Sequence, residues 1–382
     1  MFKLSSAAAV KFRILSMHSE FLNHLQINPV RALKAAMLTA CVAVLLAAGG
    51  GRAAHADSQL ELDVVGGLAG VQQYDAHEAP FWTRRVQEIT GGRLHAQIVP
   101  FDRSGIRGQE MLQLLRLGVV SFGNVLLGLA SADEPELNAI DLPLLSPDMP
   151  ALRRTVALWR PRLEALLQER YGLVLLAAYT YPPQVVFCRQ AFGGLFDLAG
   201  RRIRTSSVGQ SELVTALGGI PVVIRFAEIV AAMRTGVVDC AITGARSGNS
   251  IGLHEVSTHI SRLGVSWGVS VFVANQAAWD SLPAERRAEL RQGLATLQDE
   301  IWDAADKERQ DGFDCNAGRP TCESGRPGRM TIVEESWQDD ALRIKLLNDV
   351  VVPNWVRRCG GDCATEWNRL MAPELGIQAK AR

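Results

Sequence analysis

From residue 60 onward, short apolar runs with strand character alternate with segments of helical periodicity. That alternation directs the chain toward parallel sheets with helices on both faces. Residues 60–65 alternate as a first strand. Residues 77–90 carry Phe81, Trp82, Val86 and Ile89 on a helix that stops at Gly91-Gly92, and 94–99 form a second strand ended by Pro100. A helix over 109–117, an apolar strand over 119–127, a helix over 149–171 and a strand over 173–178 continue the rhythm.

Tyr179-Thr180-Tyr181-Pro182-Pro183 interrupts it. Two prolines fix the backbone and favour extended geometry before them, which suits a crossing between two lobes. Strands over 185–188, 202–204 and 237–242 and helices over 212–217 and 226–235 then build a second lobe, and the apolar run 265–274 returns the chain to the first. Ser281 is expected to cap a long helix with Pro283 in its first turn and Glu285 near its positive end. Leu290, Leu294, Leu297 and Ile301 step by four, three and four, which makes one apolar stripe. From 283 to about 311 this helix reaches roughly 40 Å at 1.5 Å per residue, enough to lie across both lobes. The expected fold class is therefore α/β, two lobes with a cleft between them and a long helix spanning both. The organisation is 57–180 plus 269–300 for lobe I, 181–268 for lobe II, 283–313 for the spanning helix, and 314–382 for a helical tail with cysteine-closed loops.

Residues 1–56 read as an export signal. Lys3, Lys11, Arg13, Arg31 and Lys34 supply positive charge, an apolar run covers 35–48, and Ala54-His55-Ala56 offers a small-x-small cleavage site. The positive region is long enough that Met17 or Met37 are alternative starts. Leu38-Thr39-Ala40-Cys41 resembles a lipid-attachment box but stands at the start of the apolar core rather than its end. The apolar run is shorter than the ~20 residues a comfortable membrane span needs, and no later stretch is long enough. A soluble, periplasmic product is expected, too large for one ordinary core. The whole chain balances 40 basic residues against 40 acidic ones, and because most leader charges are basic, the remainder is slightly acidic. Nothing in that balance points to nucleic acid or a membrane surface.

Beyond the leader remain Cys188, Cys240, Cys315, Cys322, Cys359 and Cys363. An even number in an oxidising compartment points to disulfides. Cys315–Cys322 and Cys359–Cys363 close small local loops, and Cys188–Cys240 pairs by elimination. The spacings do not suit a zinc ribbon, so no metal is expected.

Three motifs invite other readings. Gly248-Asn249-Ser250-Ile251-Gly252 matches a nucleophile elbow, but the expected strand ends near Ile242, well before Ser250, so a glycine-rich loop is the plainer reading. His254-Glu255-Val256-Ser257-Thr258-His259 separates its histidines by five, about 140° apart around a helix, whereas zinc needs i and i+4. Gly66-Gly67-Leu68-Ala69-Gly70 lacks the third glycine spacing of a dinucleotide loop, so a bend near a cleft fits better.

Asp197-Leu198-Ala199-Gly200-Arg201-Arg202-Ile203-Arg204 resembles the "DLKGLKIR" segment of DctP-type solute-binding subunits of TRAP (tripartite ATP-independent periplasmic) transporters. In family order follow Ala216-Leu217-Gly218-Gly219-Ile220-Pro221-Val222, Phe226-Ala227-Glu228-Ile229, Thr235-Gly236-Val237-Val238-Asp239, His254-Glu255-Val256 and Trp279-Asp280-Ser281-Leu282-Pro283. Upstream, Thr90-Gly91-Gly92 and Gly118-Val119-Val120 also fit, so the resemblance covers about 60–311.

The resemblance implies two α/β lobes closing over a small organic acid, delivered to TRAP membrane subunits, with no cofactor and no enzymatic step. It places Arg204 on the family's ligand-anchoring arginine. A guanidinium offers two parallel donors to a carboxylate and stays charged when enclosed. Two positions depart. Gln184 stands where many members have a second arginine, and Thr243 where many have asparagine. Less positive charge argues against a dicarboxylate or sialic acid and for a monocarboxylate with an apolar body. Phe226 and Trp267 supply an apolar or aromatic wall, or else belong to the core. The alternatives are an exported serine hydrolase built on Ser250, and a binding protein that reports its ligand to a receptor.

Overall fold

The computed structural model describes residues 59–380. The leader, its cleavage site and the Cys41 box lie outside the described residues. Eleven strands within them form two sheets. In the first, the order is β2 (Leu94–Pro100), β1 (Leu60–Gly66), β3 (Phe122–Leu126), β10 (Val269–Asn275) and β4 (Leu173–Thr180). β1 runs parallel to β2 and β3, whereas β10 is antiparallel to both β3 and β4. In the second sheet the order is β11 (Thr331–Val333), β9 (His259–Ser261), β5 (Gln184–Cys188), β8 (Cys240–Gly244), β6 (Arg202–Thr205) and β7 (Ile220–Val223). The chain leaves the first sheet through 181–183, between β4 and β5, and returns through 262–268, between β9 and β10.

All eight residues of β4 are buried. A strand covered on both faces loses the polar alternation of a half-exposed one, which is why Leu173–Thr180 reads as a continuous apolar run. Helix α1 (Met149–Tyr171), capped by Asp148 accepting from the Ala151 N–H at 2.7 Å, packs with Leu152, Trp159 and Leu163 in one core. On the other side Phe81, Trp82 and Phe272 meet the stripe Leu290, Leu294, Leu297 and Ile301. Two expected strands begin later than their apolar runs. Gly118 (φ +71°) and Gly236 (φ +74°) adopt left-handed turns and leave Val119 and Val237 exposed, so β3 and β8 start beyond them. In the second sheet the helices α2 (Val208–Ala216) and α3 (Ala245–Ser250) follow β6 and β8 respectively.

The long helix, α4, runs Ala284–Ala317 and ends at Gly318 (φ +69°). It does not begin at Ser281. That hydroxyl donates to the Ala278 carbonyl at 2.7 Å and closes the short preceding helix Gln276–Asp280, so the N-cap position falls on Pro283, which supplies no side-chain bond. The first half of α4 buries its stripe in the first-sheet core, while Phe313 near its end joins Val185, Phe187 and Ala241 under the second sheet. It braces both lobes.

The tail is helical over α5 (Trp337–Leu346), α6 (Val352–Cys359) and α7 (Gly361–Leu370), but it also adds β11 to the edge of the second sheet, parallel to β9. Three residues of strand are too short to stand out in a sequence pattern. Trp355 packs between Trp159 and Trp367 and donates its indole N–H to Pro135 O at 2.8 Å, docking the tail on α1. The structure joins Cys188–Cys240, Cys315–Cys322 and Cys359–Cys363, with Cα separations of 4.1, 4.5 and 5.8 Å. The first bridge links facing residues of β5 and β8.

At Gly312 the helix α4 touches the start of α3 so closely that a Cβ would lie 2.5 Å from Arg246 N and 2.9 Å from Ala245 C. Both are backbone atoms and cannot rotate away. Gly312→Ala should therefore lower the unfolding free energy by about 1–3 kcal/mol, the usual cost of overpacking a tight contact. Urea denaturation checks it, and an unchanged midpoint would show that the two helices separate freely.

Candidate ligand-binding site

A cavity of about 860 Å³ lies where the two sheets face each other. Leu68, Val71 and Phe101 line it from the first-sheet side, Gln184, Arg204 and Thr243 from the second, and Tyr181 and Gly268 from the two crossings. The adjacent order β5, β8, β6 explains why Gln184, Thr243 and Arg204 converge. Each stands on one of three neighbouring strands about 4.8 Å apart.

Arg204 is 5% exposed. Its Nε donates to Ile224 O at 2.8 Å and its Nη1 to Ile242 O at 2.7 Å. A guanidinium has five N–H groups, so these two carbonyls orient it and leave Nη2 without a protein partner among the described residues. Two other arginines line the cavity, and each has a carboxylate: Arg107 pairs with Glu110, and Arg225 with Glu228 at 2.8 Å. Among the described residues no carboxylate pairs with Arg204. Burial pulls its pKa down to about 10, which still leaves it charged at neutral pH.

Thr243 is buried on β8 and lines the cavity, and Phe226 lines it while packing against the Val71, Tyr74 and Tyr181 cluster. Trp267 does not belong with them. It is 2% exposed in the core, its indole N–H donates to Ser146 O at 2.8 Å, and it is absent from the cavity lining. Its one donor is satisfied by Ser146, a residue outside the cavity lining. Ser250 ends α3 and donates to Ser247 O at 2.8 Å, and among the described residues no histidine bonds to its hydroxyl.

Three acids that the sequence reading passed over shape the site. Asp141 is buried and accepts N–H groups from Trp267, Gly268 and Val269 at 2.8, 2.8 and 3.0 Å, which pins the return crossing. Burial pushes its carboxyl up to about 6 against the pull of those donors. Glu78 is fully buried and holds Gly67 N at 2.9 Å, Gln73 Nε2 at 2.6 Å and Asn124 Nδ2 at 3.1 Å, fixing the glycine bend after β1. Its carboxyl is also raised by burial, to about 7. The available signal was an acid inside an apolar run, as in Ile140-Asp141-Leu142, since a buried acid needs partners.

Glu308, on α4, opens into a smaller cavity of about 220 Å³ beside the first crossing, shared with Gln72 and Asp75 of one lobe and Arg246, Ser247 and Ser250 of the other. It is 9% exposed, and its carboxyl has no hydrogen-bond partner among the described residues. Burial pushes its carboxyl up to about 7, with Arg246 opposing and Asp311 adding to the shift.

The model of the bacterial extracellular solute-binding protein family 7, DctP, matches residues 68–314. The C4-dicarboxylate-binding periplasmic protein DctP of Rhodobacter capsulatus is 24% identical over 216 residues, covering 56% of this chain and 64% of that relative. The chain thus spans just under two thirds of that relative's length. Two solved structures share the fold. DctP7 of Bordetella pertussis, an extracytoplasmic solute receptor binding pyroglutamic acid, superposes with a TM-score of 0.69 at 21% identity, over 81% of this chain and 98% of that one. A TRAP periplasmic solute-binding protein of Rhodoferax ferrireducens with bound malonate gives 0.70 at 20% identity, over 83% and 100%.

The position of Glu308 sets a pH dependence. Below about 4.5 the group is protonated in both folded and unfolded chains. Between there and about 7 only the unfolded chain releases the proton, so this group's contribution to stability falls as pH rises. Glu308→Gln, which mimics the protonated acid, should match wild type near pH 4 and exceed it at pH 8. Denaturation across that range reads the difference, and identical curves would mean that Glu308 ionises without penalty.

Proposed function

The chain belongs to the DctP family of bacterial extracellular solute-binding proteins, and from that premise we propose that it is the periplasmic binding subunit of a TRAP transporter. It captures a small organic acid in the cleft and delivers it to the membrane subunits. The family is one of solute receptors rather than enzymes. Export by the N-terminal leader into an oxidising compartment agrees with three disulfides. No helix among the described residues is long and apolar enough to cross a membrane.

The observation that carries the reading is Arg204: a buried cation at a cavity wall, oriented by two carbonyls and lacking a carboxylate partner among the described residues. An enclosed charge calls for a partner, and here the ligand supplies it. The solutes named for structural relatives agree in chemistry. Pyroglutamic acid, galacturonate, orotic acid and malonate all carry carboxyl groups. For this chain we favour a monocarboxylate with an apolar body. One unneutralised arginine matches one carboxylate, Gln184 occupies the place of a second arginine, and Leu68, Val71, Val223 and Phe226 supply apolar surface.

A thermal-shift screen of organic acids identifies the ligand, since binding to the folded state alone raises the melting point. Titration calorimetry then tests the anchor. Arg204→Ala should weaken binding by around 2–5 kcal/mol, roughly thirty- to several-thousand-fold. Arg204→Lys should also bind more weakly, because an ammonium cannot reproduce the fork. A folded Arg204→Ala variant with wild-type affinity would remove Arg204 from the site.

A further inference from the structure

The polar end of the cavity has a hydrogen-bond direction that starts from a backbone group. The Ser206 N–H donates to Gln210 Oε1 at 2.9 Å, and the Ser206 hydroxyl donates there too at 3.1 Å. A backbone amide can only donate, so it settles which end of the Gln210 amide is oxygen. The other end, Nε2, then donates to Gln184 Oε1 at 2.8 Å and to Ser266 Oγ at 2.9 Å. Gln210 is 1% exposed, so this chain of bonds is shielded from water. The Gln184 amide is thereby directed as well. Its oxygen faces Gln210, and its Nε2 is left toward the cavity with no protein acceptor among the described residues. Gly268 keeps that face open. It sits at φ +84°, and a Cβ there would come within 2.9 Å of Gln184 Nε2.

We infer that Gln210, which lines no part of the cavity, is a positioning residue that sets ligand specificity by locking the Gln184 amide with its N–H groups toward the ligand. Resting on the reading of a carboxylate receptor anchored by Arg204, this adds a second requirement. Besides its carboxylate, the ligand carries an uncharged acceptor oxygen, as in a 2-oxo acid, and no N–H donor at that point. An acceptor there completes a bond to Gln184. An apolar carbon leaves the amide unpaired and a donor confronts it, each costing about tenfold in affinity.

The test uses the matched probes 4-methyl-2-oxopentanoate and 4-methylpentanoate, titrated calorimetrically against the mature protein. Wild type should prefer the oxo acid about tenfold. In Gln210→Glu the side chain at 210 can no longer donate to Gln184, whose amide turns its oxygen toward the ligand. The preference should fall to near unity or reverse, whatever loss both probes share. Gln184→Met removes the amide without disturbing Gln210 and should also bring the ratio near unity, and thermal melting shows that each variant is folded. A role confined to stability would weaken both probes and leave the ratio at its wild-type value, which overturns the inference. Equal affinity of wild type for the two probes, with binding lost in Arg204→Ala, also overturns it while the carboxylate reading stands. If neither probe binds wild type and no carboxylate in the thermal-shift screen binds it either, both readings are overturned.

Discussion

Three N–H groups converging on one buried carboxylate hold the two lobes in their working relation. Asp141 takes the amides of Trp267, Gly268 and Val269, where the chain returns from the second sheet to the first. The adjoining segment completes the clamp. Leu144 N–H donates to Val265 O at 2.7 Å, and Ser146 O accepts from the Trp267 indole. Leu144 does this at φ +67°, a left-handed conformation unusual for a branched side chain, so the surrounding contacts must offset local strain of about 1–2 kcal/mol. The start of β5 is also bonded to the return crossing, Gln184 N–H to Ser266 O at 2.6 Å and Val265 N–H to Gln184 O at 2.7 Å. A cavity wall built at this junction takes its geometry from both lobes at once.

On that frame the charge distribution is lopsided in an informative way. Most surface arginines meet acids at partly exposed positions, where a pair contributes little. Arg204 has the opposite environment, dehydrated and held by carbonyl dipoles instead of a carboxylate. Carbonyls orient a guanidinium without cancelling its charge, so the field remains available to an anion entering from solvent. Glu78 and Asp141 sit fully buried but spend their oxygens on backbone and amide donors, and each is pushed toward its neutral form by burial. Glu78 and Asp141 therefore support the segments beside the cleft, while Arg204 stands at the cavity wall as a buried cation.

The brace formed by α4 ties the two sheets together. Its first half is fastened to the first-sheet core by four large side chains, and its last turns are fastened to the second lobe by Phe313 and by Asn316 Nδ2, which donates to Ala245 O at 2.9 Å. Between them the Glu308 carboxyl faces a cavity shared by both lobes, with no hydrogen-bond partner among the described residues. The middle of α4 is bonded to β4 as well, Trp302 donating its indole N–H to Ala178 O at 2.7 Å and Gln298 accepting from Ala178 N–H at 2.9 Å.

The sequence by itself determined a two-lobed α/β fold, the apolar stripe of the spanning helix and the local cysteine pairs, and the family resemblance singled out Arg204, which lines the cavity. These are consequences of local periodicity, proline stiffness, pairing chemistry and a motif at fixed spacing, all of which survive without knowledge of distant contacts. Tertiary structure decided the rest. Phe226 and Trp267 were equivalent as aromatic candidates, and the fold put Trp267 in the core, its indole bonded to Ser146 O, and left Phe226 at the cavity. Ser281 had every local qualification for a cap, but a preceding helix claimed its hydroxyl. The edge strand β11 exists because β9 was left with an unpaired side, which its three residues could not announce. Gln210 matters only through Ser206, Gln184 and Ser266, brought together from three separate segments. Hydrogen-bond direction is a property of a folded network, because each donor's orientation depends on which acceptor the fold has already spent.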